Sequence, residues 1–278
     1  MMAIAQHFLL SAQARTLSLK EIYKGGEEKA YETFRKVRWH ATDGAPVCPR
    51  CGGLDAYEIT TRRRFKCKAC GHQFSVTSGT IFASRKMAFT DLLAAICIFV
   101  NGVKGIAALQ LSRDLDCQYK TAFVLLHKLR EAMAAEIEGA ELAGVVEVDG
   151  AYFGGHIRPE NLKEDRVDRR LAQHQTGTRR VVVAFRQRLG RTLPFVVKTE
   201  AEGVELAKRF VDRLAVVHAD EAGHWDALHD GWTVRRINHS EAYSMGDEGC
   251  TNQVESYFAR LRRMVVGQHH GVSPRYLA

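Results

Sequence analysis

No stretch of this 278-residue chain is apolar for long. The longest run, "LLAAICIFV" at Leu92–Val100, falls well short of the ~20 residues a membrane-spanning helix requires, so no membrane span is expected. The opening "MMAIAQHFLLSAQA" has a cleavage-like Ala12-Gln13-Ala14. It lacks any Lys or Arg ahead of its apolar part, which Gln6 and His7 interrupt, so a secretory leader is not expected either. Internal repeats and low-complexity tracts are also missing, which sets aside solenoid and disordered classes. Nor are the seven cysteines spread as a disulfide framework. Four are paired and close, while Cys97, Cys117 and Cys250 are scattered and read as small core hydrophobes.

What is present is enough apolar content, 46%, to bury a sizeable core. The length suits two domains on a prior of roughly 150 residues each. Forty Lys and Arg stand against 32 Asp and Glu, a formal charge of +8. That balance favours a polyanionic partner such as a nucleic acid.

Along the chain, residues 1–45 read as a short helical segment, with two amphipathic helices separated by Gly25-Gly26. Residues 46–87 form a cysteine module with β-type residues at Tyr57, Ile59, Phe65, Phe74 and Val76. Residues 88–138 read as helices: one opened by a Thr90 cap and ended by Gly102, then a short helix, a tight turn and a longer helix. The last pair makes a helix-turn-helix pattern, and Gln118, Tyr119, Lys120 and Thr121 open its second helix, where base-reading side chains would sit. Plain helical packing is the competing account of the same pattern. From residue 144 to 278 the texture becomes strand, polar insert, strand, strand, helix, strand, strand, helix.

Cys48, Cys51, Cys67 and Cys70 form two C-x-x-C knuckles. Each delivers two soft thiolates, so together they meet the tetrahedral preference of one structural Zn²⁺. A glycine follows the second cysteine of each knuckle, where a tight turn lets amides face sulfur. The module also carries Arg50, Arg62, Arg63, Arg64, Lys66, Lys68, Arg85 and Lys86 against Asp55 and Glu58. Even after a zinc tetrathiolate is counted it stays positive and suits phosphate contact.

Four acids fall where strands or helices would aim them. Glu147 and Asp149 alternate with Val146 and Val148 and so share one strand face. Asp220 ends the apolar run beginning at Ala215. Glu255 lies inside the last helix, with Asn252 and Arg262 on the same helical face. Hard carboxylates from separated segments are what Mg²⁺ or Mn²⁺ prefers, and two such ions catalyse in-line phosphoryl displacement. The bland alternatives are a loop acid, a helix cap and a surface partner for Arg262. The order of elements suits a ribonuclease H-like mixed sheet with three leading antiparallel strands. The expected fold class is therefore α/β: an N-terminal zinc ribbon and a helical helix-turn-helix region, followed by a ribonuclease H-like mixed-sheet catalytic domain.

The stretches "RWHATDGAPVCPRCGG", "FKCKACGHQFSVTSGTIFASRKM", "QLSRDLDCQYKTAFVLLHKLR", "VEVDGAYFGG", "VHADE" and "NHSEAYSMGDEGCTNQVESYFARLRRMVVGQHHGVSPRYL" carry a family resemblance. Together they make the chain resemble the ISXO-type transposases of bacterial insertion sequences. The resemblance implies DNA transposition: recognition of terminal inverted repeats, phosphodiester cleavage and transfer of the 3′-OH to target DNA. It implies two Mg²⁺ or Mn²⁺ ions on Asp149, Asp220 and Glu255, one structural Zn²⁺, and a homo-multimer on DNA in the bacterial cytoplasm, associated with the nucleoid. It implies supporting roles for Glu147, Asn252 and Arg262. Members differ over whether Asn252 or Glu255 completes the metal site; a carboxylate binds Mg²⁺ better than an amide, which favours Glu255. DNA contact is expected from Arg62, Arg63, Arg64, Lys66, Lys68, Lys120, Arg262 and Arg263. Arg262 departs from the lysine usual at that position. The family pattern runs on for some tens of residues beyond this motif, so the resemblance also implies a C-terminal truncation. A non-catalytic DNA-binding descendant is the alternative. The insert His156–Arg180 reads equally as a DNA grip or a loop, and His218, His239, His269 and His270 as surface or supporting groups.

Overall fold

A computed structural model describes residues 12–137, 139–154, 160–167, 177, 179–237 and 250–277. His239 and most of the insert His156–Arg180 lie outside the described residues. The chain forms two compact units, residues 1–138 and 139–278.

In the N-terminal unit, α1 (Ala12–Arg15) precedes α2 (Leu19–Arg38). The expected break at Gly25-Gly26 is a kink: only Gly26 leaves helical geometry, at φ 70° and ψ −179°, and the helix resumes at once. Three short strands follow, β1 (Ala56–Ile59), β2 (Arg64–Cys67) and β3 (Gln73–Phe74), in an antiparallel sheet of that order. Then come α3 (Phe89–Asn101), α4 (Ala108–Asp114) and α5 (Tyr119–Ala134). The long apolar run sits in α3, whose residues Leu92 to Cys97 are all buried. That packing answers why the sequence tolerates such a run without a membrane.

Thr90 does not cap α3; it lies in the first turn, after Ala88. The cap comes from Glu27 of α2, which accepts the amides of Phe89 at 2.9 Å and Thr90 at 3.1 Å. A carboxylate satisfies two orphan donors and complements the positive end of the helix, so it displaces the weaker local hydroxyl.

The ribbon's apolar side is aromatic. Trp39 packs edge-on against Phe65 and Phe74 at centroid distances of 5.4 and 6.4 Å. Phe65, Phe74, Cys48 and Cys67 belong to one buried cluster with Phe34 of α2 and Leu92 of α3. The small strands therefore borrow the helices' core.

In the C-terminal unit, β4 (Val145–Phe153), β5 (Arg180–Gln187) and β6 (Thr192–Val197) are followed by α6 (Glu202–Phe210). After them come β7 (Val216–Asp220), β8 (Thr233–Ile237) and α7 (Asn252–Met264). The sheet order is β6-β5-β4-β7-β8. β4, β5 and β6 pair antiparallel, while β7 runs parallel to β4 and β8 parallel to β7. One sheet face carries Ala151, Phe153, Val182 and Ala184, and α7 covers it with Val254 and Phe258. By strand alternation Glu147 and Asp149 project from that same face.

Candidate metal and nucleic-acid sites

The cysteine site is assembled locally. The Sγ atoms of Cys48, Cys51, Cys67 and Cys70 all lie within 4.8 Å of one another. Cys48 and Cys70 are 3.7 Å apart and Cys51 and Cys67 3.6 Å. Zn–S bonds of ~2.3 Å in a tetrahedron place sulfurs ~3.8 Å apart, so the set fits zinc. The two knuckles repeat one geometry: Gly52 donates to the Cys48 carbonyl at 2.9 Å and Gly71 to the Cys67 carbonyl at 3.0 Å. Both glycines sit at positive φ, 71° and 70°, which a side chain would strain.

β2 alternates exposed and buried residues, so Arg64 and Lys66 point outward while Phe65 and Cys67 point in. Lys68 continues the outward row and lies over the exposed Tyr57 ring, 5.2 Å from its centroid. Arg62 is exposed beside this row. Arg63 is differently employed: it pairs with Glu28 and covers the Tyr31 ring. Its guanidinium ties the ribbon to α2, and the positive backbone φ of 47° at this residue turns it away from the strand row. On α5, Gln118, Tyr119, Lys120 and Thr121 are exposed, as are Phe123 and His127 further along.

The acids come from the C-terminal unit. Glu147 pairs with His218 in the parallel register of β4 and β7. Two residues further along β4 and β7 come Asp149 and Asp220, on the same strand face as that pair. Asp149 accepts the Gly150 amide at 2.7 Å, and Asp220 the Ala222 amide at 3.2 Å. Glu255, in the first turn of α7, accepts a 2.8 Å hydrogen bond from the buried Thr251 hydroxyl. Burial raises the Asp149 pKa to about 6 against the pull of the Gly150 amide, and Asp220, Glu200 and Glu255 push it the same way. Both of the other expected acids therefore act on Asp149. They converge more loosely than the cysteines: among the described residues, the four cysteines are the set of three or more ligand atoms gathered within 4.8 Å. A hard oxygen donor set whose charges oppose each other fits a divalent cation.

Glu200 is an acid the sequence reading missed. A Cβ on Gly150 would stand 2.6 Å from its Oε1, so the glycine beside Asp149 makes room for it. Burial, then Asp220, raises its pKa. His224 Nε2 lies 2.9 Å from Glu200 Oε2, off the line of a hydrogen bond. Burial lowers the His224 pKa. Nothing local in "VKTEAEGVE" distinguishes Glu200 from Glu202 and Glu205; the signal was Gly150, directly after the first aspartate.

Both carboxylate oxygens of Glu147 are engaged by other groups. Its Oε2 accepts the amides of Gln253 at 2.8 Å and Val254 at 3.0 Å, and its Oε1 meets Arg188 Nε at 3.1 Å. His218 is likewise buried, with Nδ1 accepting the Cys250 amide at 3.0 Å. Asn252 is exposed at the start of α7. Arg262, two turns beyond Glu255, is exposed and lies over Phe258 at 5.9 Å, and Arg263 is exposed next to it. His269 and His270 are exposed beyond the helix.

A mixed sheet with three antiparallel leading strands, acids on adjoining parallel strands and a third acid on the covering helix defines a ribonuclease H-like domain. Here it accompanies a zinc-ribbon cysteine cluster. The family model described as "ISXO2-like transposase domain" matches residues 141–278, and one described as "Transposase zinc-ribbon domain" matches residues 25–73. The chain thus carries an ISXO2-like transposase domain and a transposase zinc-ribbon domain. It is also similar to a protein of Halobacterium salinarum described as "Uncharacterized protein in transposable element ISH50". The two are 25% identical over 260 residues, covering 89% of this chain and 85% of that one. Among the described residues no helix is long and apolar enough to cross a membrane.

Proposed function

We propose that the protein catalyses DNA cleavage and strand transfer for an insertion sequence. The observation that carries this reading is the register of β4 and β7, which pairs Glu147 with His218 and leads each strand to an aspartate two residues on, with Asp220 and Glu255 both acting on the buried Asp149. In this reading Asp149, Asp220 and Glu255 hold two Mg²⁺ or Mn²⁺ ions. Bound there, such ions would stabilise charge on the attacking and leaving oxygens of an in-line displacement.

The remaining roles belong to the chain's own groups. The Gly150 and Thr251 hydrogen bonds orient the carboxylates of Asp149 and Glu255. Asn252, one turn before Glu255, positions the DNA end. Arg262 and Arg263 lie ~10 Å further along the helix, by its 1.5 Å rise, and meet a phosphate of the same strand. An arginine there forks onto two phosphate oxygens where the family's lysine would supply a point charge. In the first step water attacks phosphorus, the P–O3′ bond breaks, and a 3′-OH and a 5′-phosphate result. In the second the 3′-OH attacks a target phosphodiester; one P–O bond forms, one breaks, and a target 3′-OH leaves.

Recognition of the terminal inverted repeats falls to the N-terminal unit. Arg62, Arg64, Lys66 and Lys68 provide phosphate contacts, stiffened by one structural zinc, and Lys120 with its neighbours on α5 reads the groove. Arg63 supports that surface through its pairing with Glu28. Joining two element ends requires a multimer on DNA, acting on nucleoid DNA in the bacterial cytoplasm.

The test is incubation of the full chain with end-labelled DNA carrying the flanking repeats, in Mg²⁺ or Mn²⁺, followed by analysis of ends and joined products. Metal-dependent 3′-OH ends and joined strands, absent for Asp149→Ala and Glu255→Ala and slowed but not abolished by Asn252→Ala, support the reading. Binding without cleavage under all conditions would replace it with a non-catalytic DNA-binding protein. Ends that never join would reduce it to a nuclease.

A further inference from the structure

Glu147 and His218 are register partners on β4 and β7, and each stands two residues before an aspartate of its own strand. Two residues along a strand return to the same face. Both side chains are buried, at 0% and 1% exposure. Their partners are backbone amides of one short stretch. His218 Nδ1 takes the Cys250 amide, and Glu147 Oε2 takes those of Gln253 and Val254. The last two are amides that a helix start leaves without intrahelical acceptors, and a negative group there meets the positive end of the helix. Arg188 closes the other side of Glu147 at 3.1 Å. Both Glu147 oxygens are thus occupied. Glu255 is the residue immediately after the second gripped amide.

We infer that Glu147 and His218 are positioning residues: each strand that supplies an aspartate also holds the start of α7, so both strands together set where Glu255 stands relative to Asp149 and Asp220. The inference rests on the reading of those three acids as the divalent-ion site. Its physical content is a restraint against repulsion. Ionised carboxylates on separate elements repel, and the hydrogen bonds from β4 and β7 oppose that repulsion, with the charge of Glu147 met by Arg188 and the helix start. The local patterns Glu147-Val148-Asp149 and His218-Ala219-Asp220 are then one device used twice, a grip and a ligand on the same strand face.

The test uses Mn²⁺ alone, titrated by electron paramagnetic resonance into the full zinc-loaded chain, on variants that keep the wild-type far-ultraviolet circular dichroism. Glu255→Ala and Glu147→Ala are each expected to weaken Mn²⁺ binding by about tenfold or more, the range seen when groups supporting ligands are removed. The double variant is expected to bind no more weakly than Glu255→Ala alone, because the grip acts only through Glu255. His218→Ala should show the same non-additivity. His218→Asn, whose amide oxygen can stand near the place of Nδ1, should restore wild-type binding. Additive losses, with Glu147→Ala weakening Mn²⁺ equally whether or not Glu255 is present, would overturn the inference, as would failure of His218→Asn to rescue. If Glu147→Ala does not fold, the His218 variants decide by the same criteria. If Asp149→Ala and Glu255→Ala leave Mn²⁺ binding unchanged, the three-acid reading itself fails and takes this inference with it.

Discussion

Between Cys48 and Cys70 the N-terminal unit gathers four sulfurs within 4.8 Å of one another, while the C-terminal unit brings Asp220 and Glu255 to act on Asp149 without closing the three that far. The contrast is chemical. Four soft sulfurs come from two short knuckles whose glycines at positive φ set the turns, and the set suits one zinc. Carboxylates repel where they are ionised, and an arrangement that holds them near each other must restrain them from elsewhere. On the inference that Glu147 and His218 are positioning residues, Glu147 supplies that restraint through amides of α7 and His218 through the amide of Cys250, two residues before the helix. A cluster made by local spacing needs little scaffold; one made by topology needs buried polar groups.

Four predictions sharpen this contrast, beginning with the largest effect. Removal of zinc by a chelator, or Cys67→Ala, should cost the ribbon its fold, since structural zinc contributes of the order of 10 kcal/mol. The Trp39 near-ultraviolet signal, which depends on Phe65 and Phe74, should collapse with it. Survival of that signal would mean that the core shared with α2 and α3 suffices without metal.

Next comes Glu147→Ala. It strands Arg188 and two helix amides and should destabilise the C-terminal unit by about 3–5 kcal/mol, measured by urea denaturation. A loss below about 1 kcal/mol would show that water replaces the carboxylate and that the grip is weak.

Asp149→Asn should act in the opposite direction. The folded pKa of about 6 lies above the ordinary value of 3.8, so the unfolded chain gives up its proton first as pH rises. Between those two values stability therefore falls with rising pH, and above about 6 it stays at the lower level. In metal-free protein at pH 8, Asp149→Asn should gain of the order of 3 kcal/mol, and near pH 3.5 it should gain almost nothing. Mg²⁺ should remove the difference by stabilising only the wild type. A substitution that destabilises at pH 8 would contradict a repulsive site.

The smallest effect concerns the ribbon surface. Lys66→Ala should weaken DNA binding modestly and reduce its salt slope by about 1. Arg63→Ala, already paired with Glu28, should leave the slope unchanged and lower stability by roughly 1 kcal/mol or less. Equal slopes for both variants would return Arg63 to the DNA-contacting row.

What the sequence made legible follows from range. The cysteine knuckles are a local pattern whose spacing carries their chemistry, and the strand-and-helix order from residue 144 is written in hydrophobic periodicity. Alternation also put Glu147 and Asp149 on one face. It did not reveal that Glu147 meets Val254, because a hydrogen bond across more than a hundred residues leaves no periodic trace. The cap of α3 was misread for the same reason: Thr90 was the nearby candidate, and Glu27 lies 62 residues before Phe89. Glu200 hid among neighbouring glutamates, and Arg63 among neighbouring arginines. In each case the residue type was ordinary and only its partner made it distinct.

The most direct measurement of the central claim is anomalous diffraction at the manganese edge from crystals of the full chain soaked in Mn²⁺ and bound to terminal-repeat DNA. The account predicts Mn²⁺ between Asp149, Asp220 and Glu255, with Glu147 still on the amides of α7. Manganese held by Glu147, or found only away from these three acids, would contradict it.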